Sequence, residues 1–262
     1  MVVKRKWFSR TFLVIVGSIF AIIVLGVSFG FQTLLTWKLR HEVRRNPILA
    51  LTPVPLPVTP PTSAEGTVLS HAGFRFEVPW SDVDSQRTKL FSHIAVYVFR
   101  SGRVVSFYGP SPTGEDLISA VEKNFGGKSA LTLFGPEATR SNYSFHKTVL
   151  ELTPTAMKPW MSYREAMRTS MLLTIKAISS VGGKTGLFSV QANGWKGFQF
   201  DDPVKKPKNI TLEVYDLQDR HIEIIFSPGN SPNAMITQAD IDQVVLTLAP
   251  VEPPKADSAS LN

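Results

Sequence analysis

Cysteine is absent from all 262 residues. That excludes a disulfide framework, thiolate zinc sites, iron–sulfur clusters, a cysteine nucleophile and a bacterial lipoprotein anchor. It leaves the redox compartment open, because a core of this size needs no covalent staple. Charged residues are sparse, at 19%. The His-Glu-x-x-His zinc pattern is missing, and none of His41, His71, His93, His146 and His221 stands four residues from another. No catalytic, cofactor-binding or metal-ligating residue is assigned from the sequence, and no cofactor is expected.

A basic domain is also missing, although the net charge is +7. Lys4, Arg5, Lys6, Arg10, Lys38, Arg40, Arg44 and Arg45, against the single acid Glu42, account for all of it. Residues 46–262 hold 20 basic and 20 acidic side chains. A nucleic-acid-binding domain carries its basic stripe on the folded part, so no nucleic-acid partner is expected.

What the sequence does have is a long run without charge, bounded by Thr11 and Trp37. A membrane-spanning helix needs about 20 predominantly apolar residues, and Trp7 and Trp37 sit where indoles favour the headgroup region. A cleaved signal peptide has a shorter apolar region and a small-residue cleavage site. The expectation is one uncleaved transmembrane helix, in contact with the lipid bilayer from Phe12 to Trp37. Four basic residues precede it and four follow. A short basic N-terminus before a first span ordinarily stays inside, which places the folded part on the extracytoplasmic side; the cluster after the span pulls the other way. Gly26 and Gly30 form a GxxxG spacing, common in membrane helices.

Residues 46–65 contain six prolines. Proline fixes φ and removes a backbone donor, so this stretch is expected to be an extended, semi-rigid spacer. Residues 250–262, rich in Pro, Ser and Ala, are expected to be a disordered tail. The organisation expected is thus 1–45 anchor, 46–65 linker, 66–249 folded domain and 250–262 tail.

Within 66–249, turn chemistry predicts hairpins. Residues 94–99 and 104–108 flank Ser101-Gly102, and 187–192 and 195–200 flank Asn193-Gly194. Asn-Gly favours a type I′ turn, in which both central residues need positive φ. Residues 210–215 alternate and pair with 221–226, and Val68-Leu69 precedes 74–78 across residues 71–73. Helix starts are predicted at Thr113 with Asp116, Ser162 with Glu165, and Thr237 with Asp240. Tyr163, Met167, Met171, Ile175 and Ile178 mark one face of the second, and 141–152 is a further helix candidate. Adjacent hairpins with segregated helices predict an α+β fold: an antiparallel sheet of about six to eight strands packed with helices, preceded by one transmembrane helix.

The segment His71-Ala-Gly-Phe-Arg-Phe-Glu-Val-Pro-Trp80 resembles the opening hairpin of Mog1/PsbP-like domains, where a Gly-Phe-x-Phe-x-x-Pro strand leads to a tryptophan. Residues 236–248 resemble the closing helix of that group, and the strand pair before them is similar too. The resemblance spans 66–249 but is carried by its two ends; 141–181 departs from it. It implies an antiparallel sheet sandwiched by helices in a binding or accessory protein without catalytic residues.

Two fragments imitate a phosphate-binding loop, Gly126-Gly-Lys-Ser129 and Gly182-Gly-Lys-Thr185. The earlier glycine such a loop needs is replaced by Glu122 and Ile178, so helix ends are the better reading. Asp201, Asp202, Lys205, Lys206 and Lys208 read as a solvated loop. Asn142 and Asn209 head glycosylation sequons. The function expected is a single-pass membrane-anchored accessory or binding protein with a protein partner for its 66–249 domain. The alternatives are an anchored hydrolase with residues scattered in sequence, or a membrane assembly component. A deep pocket of titratable groups favours the hydrolase, and a shallow apolar surface favours the binder.

Overall fold

The computed structural model describes residues 30, 41, 46–60, 66–110, 117–124, 130–158, 160–179, 185–230 and 234–251. Four hairpins form where turn chemistry predicts them. Strand β2 (Thr67–His71) pairs with β3 (Phe74–Val78), and β5 (Ile94–Val98) with β6 (Val104–Tyr108). Strand β7 (Leu187–Ala192) pairs with β8 (Trp195–Phe200), and β9 (Ile210–Tyr215) with β10 (His221–Ser227). Asn193 and Gly194 have φ of +48° and +80°, the left-handed pair of a type I′ turn.

Three strands lie outside the sequence expectation: β1 (Val54–Leu56), β4 (Lys89–Leu90) and β11 (Ala249–Pro250). The protein is α+β, with an eight-stranded sheet in the order β1-β7-β8-β9-β10-β6-β5-β4 and a three-stranded sheet β11-β3-β2. The large sheet is mixed rather than wholly antiparallel, because β1 runs parallel to β7.

From residue 46 onward the described α-helices are α1 (Leu117–Asn124), α2 (Ala130–Phe134), α3 (Asn142–Glu151), α4 (Tyr163–Ser179) and α5 (Gln238–Thr247). Capping boxes close at two of the three predicted starts; the third, Thr113 with Asp116, lies outside the described residues. Glu165 N–H donates to Ser162 Oγ and Ser162 N–H to the Glu165 carboxylate; Thr237 and Asp240 do the same for α5. The predicted apolar face of α4 is displaced. Tyr163 and Ile178 are each 66% exposed, while Ala166, Thr169, Leu172, Leu173 and Lys176 are buried. Met167, Met171 and Ile175 of the expected stripe are half-buried, the last two against the cluster around Phe134 and Phe145.

The main core lies between one face of the large sheet and a layer made of α5 and the small sheet. Phe74, Phe76 and Val78 meet Phe107, Leu212, Val214, Ile222, Ile224, Ile241 and Val244 there. Helices α1–α4 cover the opposite face, over β7–β9, and carry smaller clusters around Phe134 and Phe145 and around Leu173. Strand β8 is consequently buried on both sides: Trp195 faces the main core, while Phe198 and Phe200 face the helices.

Residues 46–60 are not a free spacer. Pro47–Ala50 forms a 3-10 turn that buries Ile48 against Leu150, Phe198 and Phe200, and Leu49 against Met157, Ala166 and Leu173. Val54–Leu56 then adds a strand at the sheet edge, the one position where a proline-bearing strand is tolerated. Thr59 donates through N–H and Oγ to the buried Asp242 carboxylate. The proline content was a correct sign of extended chain and a wrong sign of detachment. At the other end, Ala249 and Pro250 pair with Arg75 and Phe74, so the expected tail begins later than residue 250.

The run bounded by Thr11 and Trp37 lies outside the described residues, Gly30 excepted, as do residues 252–262. Among the described residues no helix is long and apolar enough to cross a membrane.

Candidate functional site

Helix α3 is fixed at its N-terminus from two directions. Ser141 is the N-cap, its Oγ accepting from Ser144 N–H at 3.0 Å. The Asp219 carboxylate, on the β9–β10 turn, accepts from Tyr143 N–H at 3.1 Å and from Asn142 Nδ2 at 3.0 Å. A carboxylate on the first amides of a helix answers both their unpaired donors and the positive end of the dipole. Asn142 is thereby buried.

At its other end α3 is held by Lys176. The Lys176 ammonium donates to the carbonyls of Leu150 at 2.7 Å, Leu152 at 2.8 Å and Leu51 at 2.6 Å. Cations belong at helix C-termini. This one also joins α4 to the 46–60 segment, and its burial pulls its pKa down to about 8.

Clamped in this way, α3 and the proline-bearing segment form the two walls of a groove of about 570 Å³. Pro53, Pro55, Leu56 and Pro57 line one side, Tyr143, Lys147 and Glu151 the other, and Ser189, Gln191 and Phe198 also line it. The Tyr143 ring stacks on Phe198 at 5.6 Å between centroids, and the Lys196 ammonium lies over Tyr143 at 4.3 Å. Lys147 and Glu151 are about half exposed and 3.7 Å apart. The groove is therefore apolar and aromatic within, with paired charges of both signs along α3.

Beside the groove, under the same helix, a titratable cluster fills the α3–sheet interface. His146 Nδ1 is 3.0 Å from the Tyr215 hydroxyl and 3.4 Å from Glu213 Oε2. His221 Nε2 is 3.5 Å from that same oxygen, and its ring stacks on Tyr215 at 4.8 Å. One carboxylate thus lies within ion-pair distance of two imidazoles, and His221 Nε2 makes no hydrogen bond to it. His146 is buried against Phe198 and Phe200, and its Nε2 has no hydrogen-bond partner. Burial lowers its pKa, assisted by His221 and opposed by Glu213. Burial raises Tyr215 well above the usual phenol range, and the charges of Glu213, Asp219 and Glu223 push the same way.

No spacing in the sequence joins His146 and His221, and only the helix–sheet packing brings them to one carboxylate. Both stood among five histidines without a spacing signal. Asp201, expected in a solvated loop, is buried and accepts from Thr185 N–H at 2.7 Å. Asp202 caps a 3-10 turn at Pro203–Lys205. Gly126–Ser129 and residues 182–184 lie outside the described residues. So does most of Gly26-Val-Ser-Phe-Gly30, which also spells the Gly-x-Ser-x-Gly nucleophile pattern but sits in the charge-free run. Among the described residues no cluster of His, Asp or Glu has the arrangement to hold a metal ion.

The chemistry available follows from access. Two groups with shifted pKa, His146 and Tyr215, are enclosed at the helix–sheet interface. The groove offers stacking surface and hydrogen-bonding side chains. No protein-family model, curated protein or solved structure matches the chain.

Proposed function

We propose that the chain is a single-pass membrane-anchored accessory or binding protein, and that the groove between residues 53–57 and α3 takes an extended segment of a protein partner. The observation that carries this reading is the groove's lining. Proline and aromatic surfaces face each other across it, while His146 and Tyr215, whose pKa values are shifted, are turned into the core beside it. Catalysis would ask for perturbed groups at a substrate's reach, whereas recognition asks for apolar surface with a few placed polar groups. Ser189 and Gln191 supply those polar groups, and the Lys147–Glu151 pair suits a segment carrying both signs of charge.

The anchor rests on the charge-free run bounded by Thr11 and Trp37, and the extracytoplasmic placement on the basic N-terminus before it. A relation to Mog1/PsbP-like domains rests on residues 71–80 and 236–248, and would agree with an accessory role. The test is photo-cross-linking from Gln191 in membranes of expressing cells. A discrete adduct that disappears in Ser189→Arg, and that is not formed from Leu90 on the far sheet edge, is expected. An adduct from Leu90 alone, or no adduct from Gln191, overturns the groove as the binding site.

A further inference from the structure

The groove and the imidazole cluster share one helix. Tyr143, Lys147 and Glu151 of α3 line the groove, and His146 of the same helix is the residue enclosed at the sheet. Anything that unseats His146 therefore moves a groove wall. We propose that α3 is a pH-sensitive wall: protonation of His146, enclosed between α3 and the sheet beside Glu213, releases the helix from the sheet and opens the groove. The proposal rests on the binding reading for its purpose, though the movement itself does not need a ligand.

The geometry carries it. The neutral tautomer with its proton on Nδ1 can use Glu213 and Tyr215, leaving only a lone pair at Nε2. A second proton would sit on Nε2, where the surroundings are the Phe198 and Phe200 rings and no acceptor is present. A buried donor without an acceptor is costly, and a charged one more so. The charges around His146 do not remove that cost. On β9 stand Glu213 and Tyr215, and opposite them in register on β10 stand Glu223 and His221. On β8 Lys196 lies opposite Tyr215, and the Asp219 carboxylate is engaged by the first amides of α3. On α3 itself Tyr143 faces the sheet and Lys147 pairs outward with Glu151. Glu213 is the nearest counter-charge, and it already faces His221, whose side chain is 42% exposed.

The sign is fixed by linkage. The folded value for His146 lies below its ordinary 6.5. Above that pH both states hold a neutral ring and the closed helix keeps its full stability. Below it the released helix takes the proton more readily. Each pH unit inside that window multiplies the open-to-closed ratio by up to about tenfold for one proton.

Because the chain has no cysteine, the wall can be read directly. Ser189→Cys and Lys147→Cys in the full chain, spin-labelled in detergent, report the width of the groove; Ser189→Cys with Leu90→Cys reports the sheet alone. Going from about pH 7.5 to about pH 5.5 should lengthen the first distance reversibly and leave the second unchanged. His146→Phe, with no proton to take, should abolish the change. If that variant does not fold, Glu213→Gln decides. It removes the counter-charge to a closed, cationic His146, so opening should shift to higher pH. An unchanged first distance in the otherwise wild-type chain overturns the proposal. So does opening that persists in His146→Phe, or a Glu213→Gln shift absent or toward lower pH. These distances are measured without a ligand. A failed cross-link from Gln191 therefore removes the binding reading alone, and a static helix removes the switch alone.

Discussion

Gly197 and Gly194 sit three residues apart and are needed for different reasons. Gly197 lies opposite Val214, and a Cβ there would run into the backbone carbonyl of Glu213. At Gly194 a Cβ would meet only Leu217, at an ordinary 3.9 Å, but its φ is +80°. Gly197→Ala should therefore destabilise by overpacking, by about 1–3 kcal/mol. Gly194→Val should cost more than about 1 kcal/mol through backbone strain alone. Chemical denaturation measures both, and a neutral Gly197→Ala would mean that β8 and β9 can spread. Residue 194 was legible in sequence because the turn requirement is local. Residue 197 was not, because the collision comes from another strand. Lys176 and His146 escaped for a related reason. A cation on a helix is read as facing solvent, and a lone histidine carries no spacing, until three carbonyls or a distant carboxylate are folded around it.

At the scale of elements, local start signals were sufficient for α4 and α5, whose caps are built from neighbouring residues. Helix α3 was the least marked of the three because half of its cap is remote: Asp219 follows it by 77 positions. Asp219 also occupies a positive φ of 63°, which an Asx residue tolerates better than most. Removing the carboxylate in Asp219→Ala should cost about 1–2 kcal/mol, as helix caps do. Hydrogen exchange should then rise first at residues 142–151, and exchange that rises uniformly would show that Asp219 steadies the whole fold instead. The hairpins were predictable from turns. The parallel edge strand was not, since β1 has no partner within reach in sequence and its prolines argue against any sheet but an edge. The groove was illegible with it, because one of its walls is that strand.

For the whole molecule, the unit that folds includes residues 46–60 as well as those from 66 onward. Asn46 Nδ2 donates to Ala177 O at 3.1 Å, and the next three residues carry Ile48 and Leu49 into the core. Each such side chain contributes about 1.5–3 kcal/mol on burial. A chain starting at Asn46 should be soluble and cooperative, and one starting at Gly66 should lose roughly 3–6 kcal/mol or aggregate. The full chain should stay with membranes through an alkaline wash; its release intact would remove the anchor. The docking of residues 46–60 has a further consequence for synthesis. Thr59 waits for Asp242, 183 positions later. At ordinary translation speeds that interval is roughly ten to forty seconds. The first-made part of the domain is therefore among the last to find its place, and exposes Ile48 and Leu49 to proteases and chaperones meanwhile. Prolines 53, 55 and 57 keep the waiting segment extended and, lacking amide hydrogens, unfit to seed a wrong sheet.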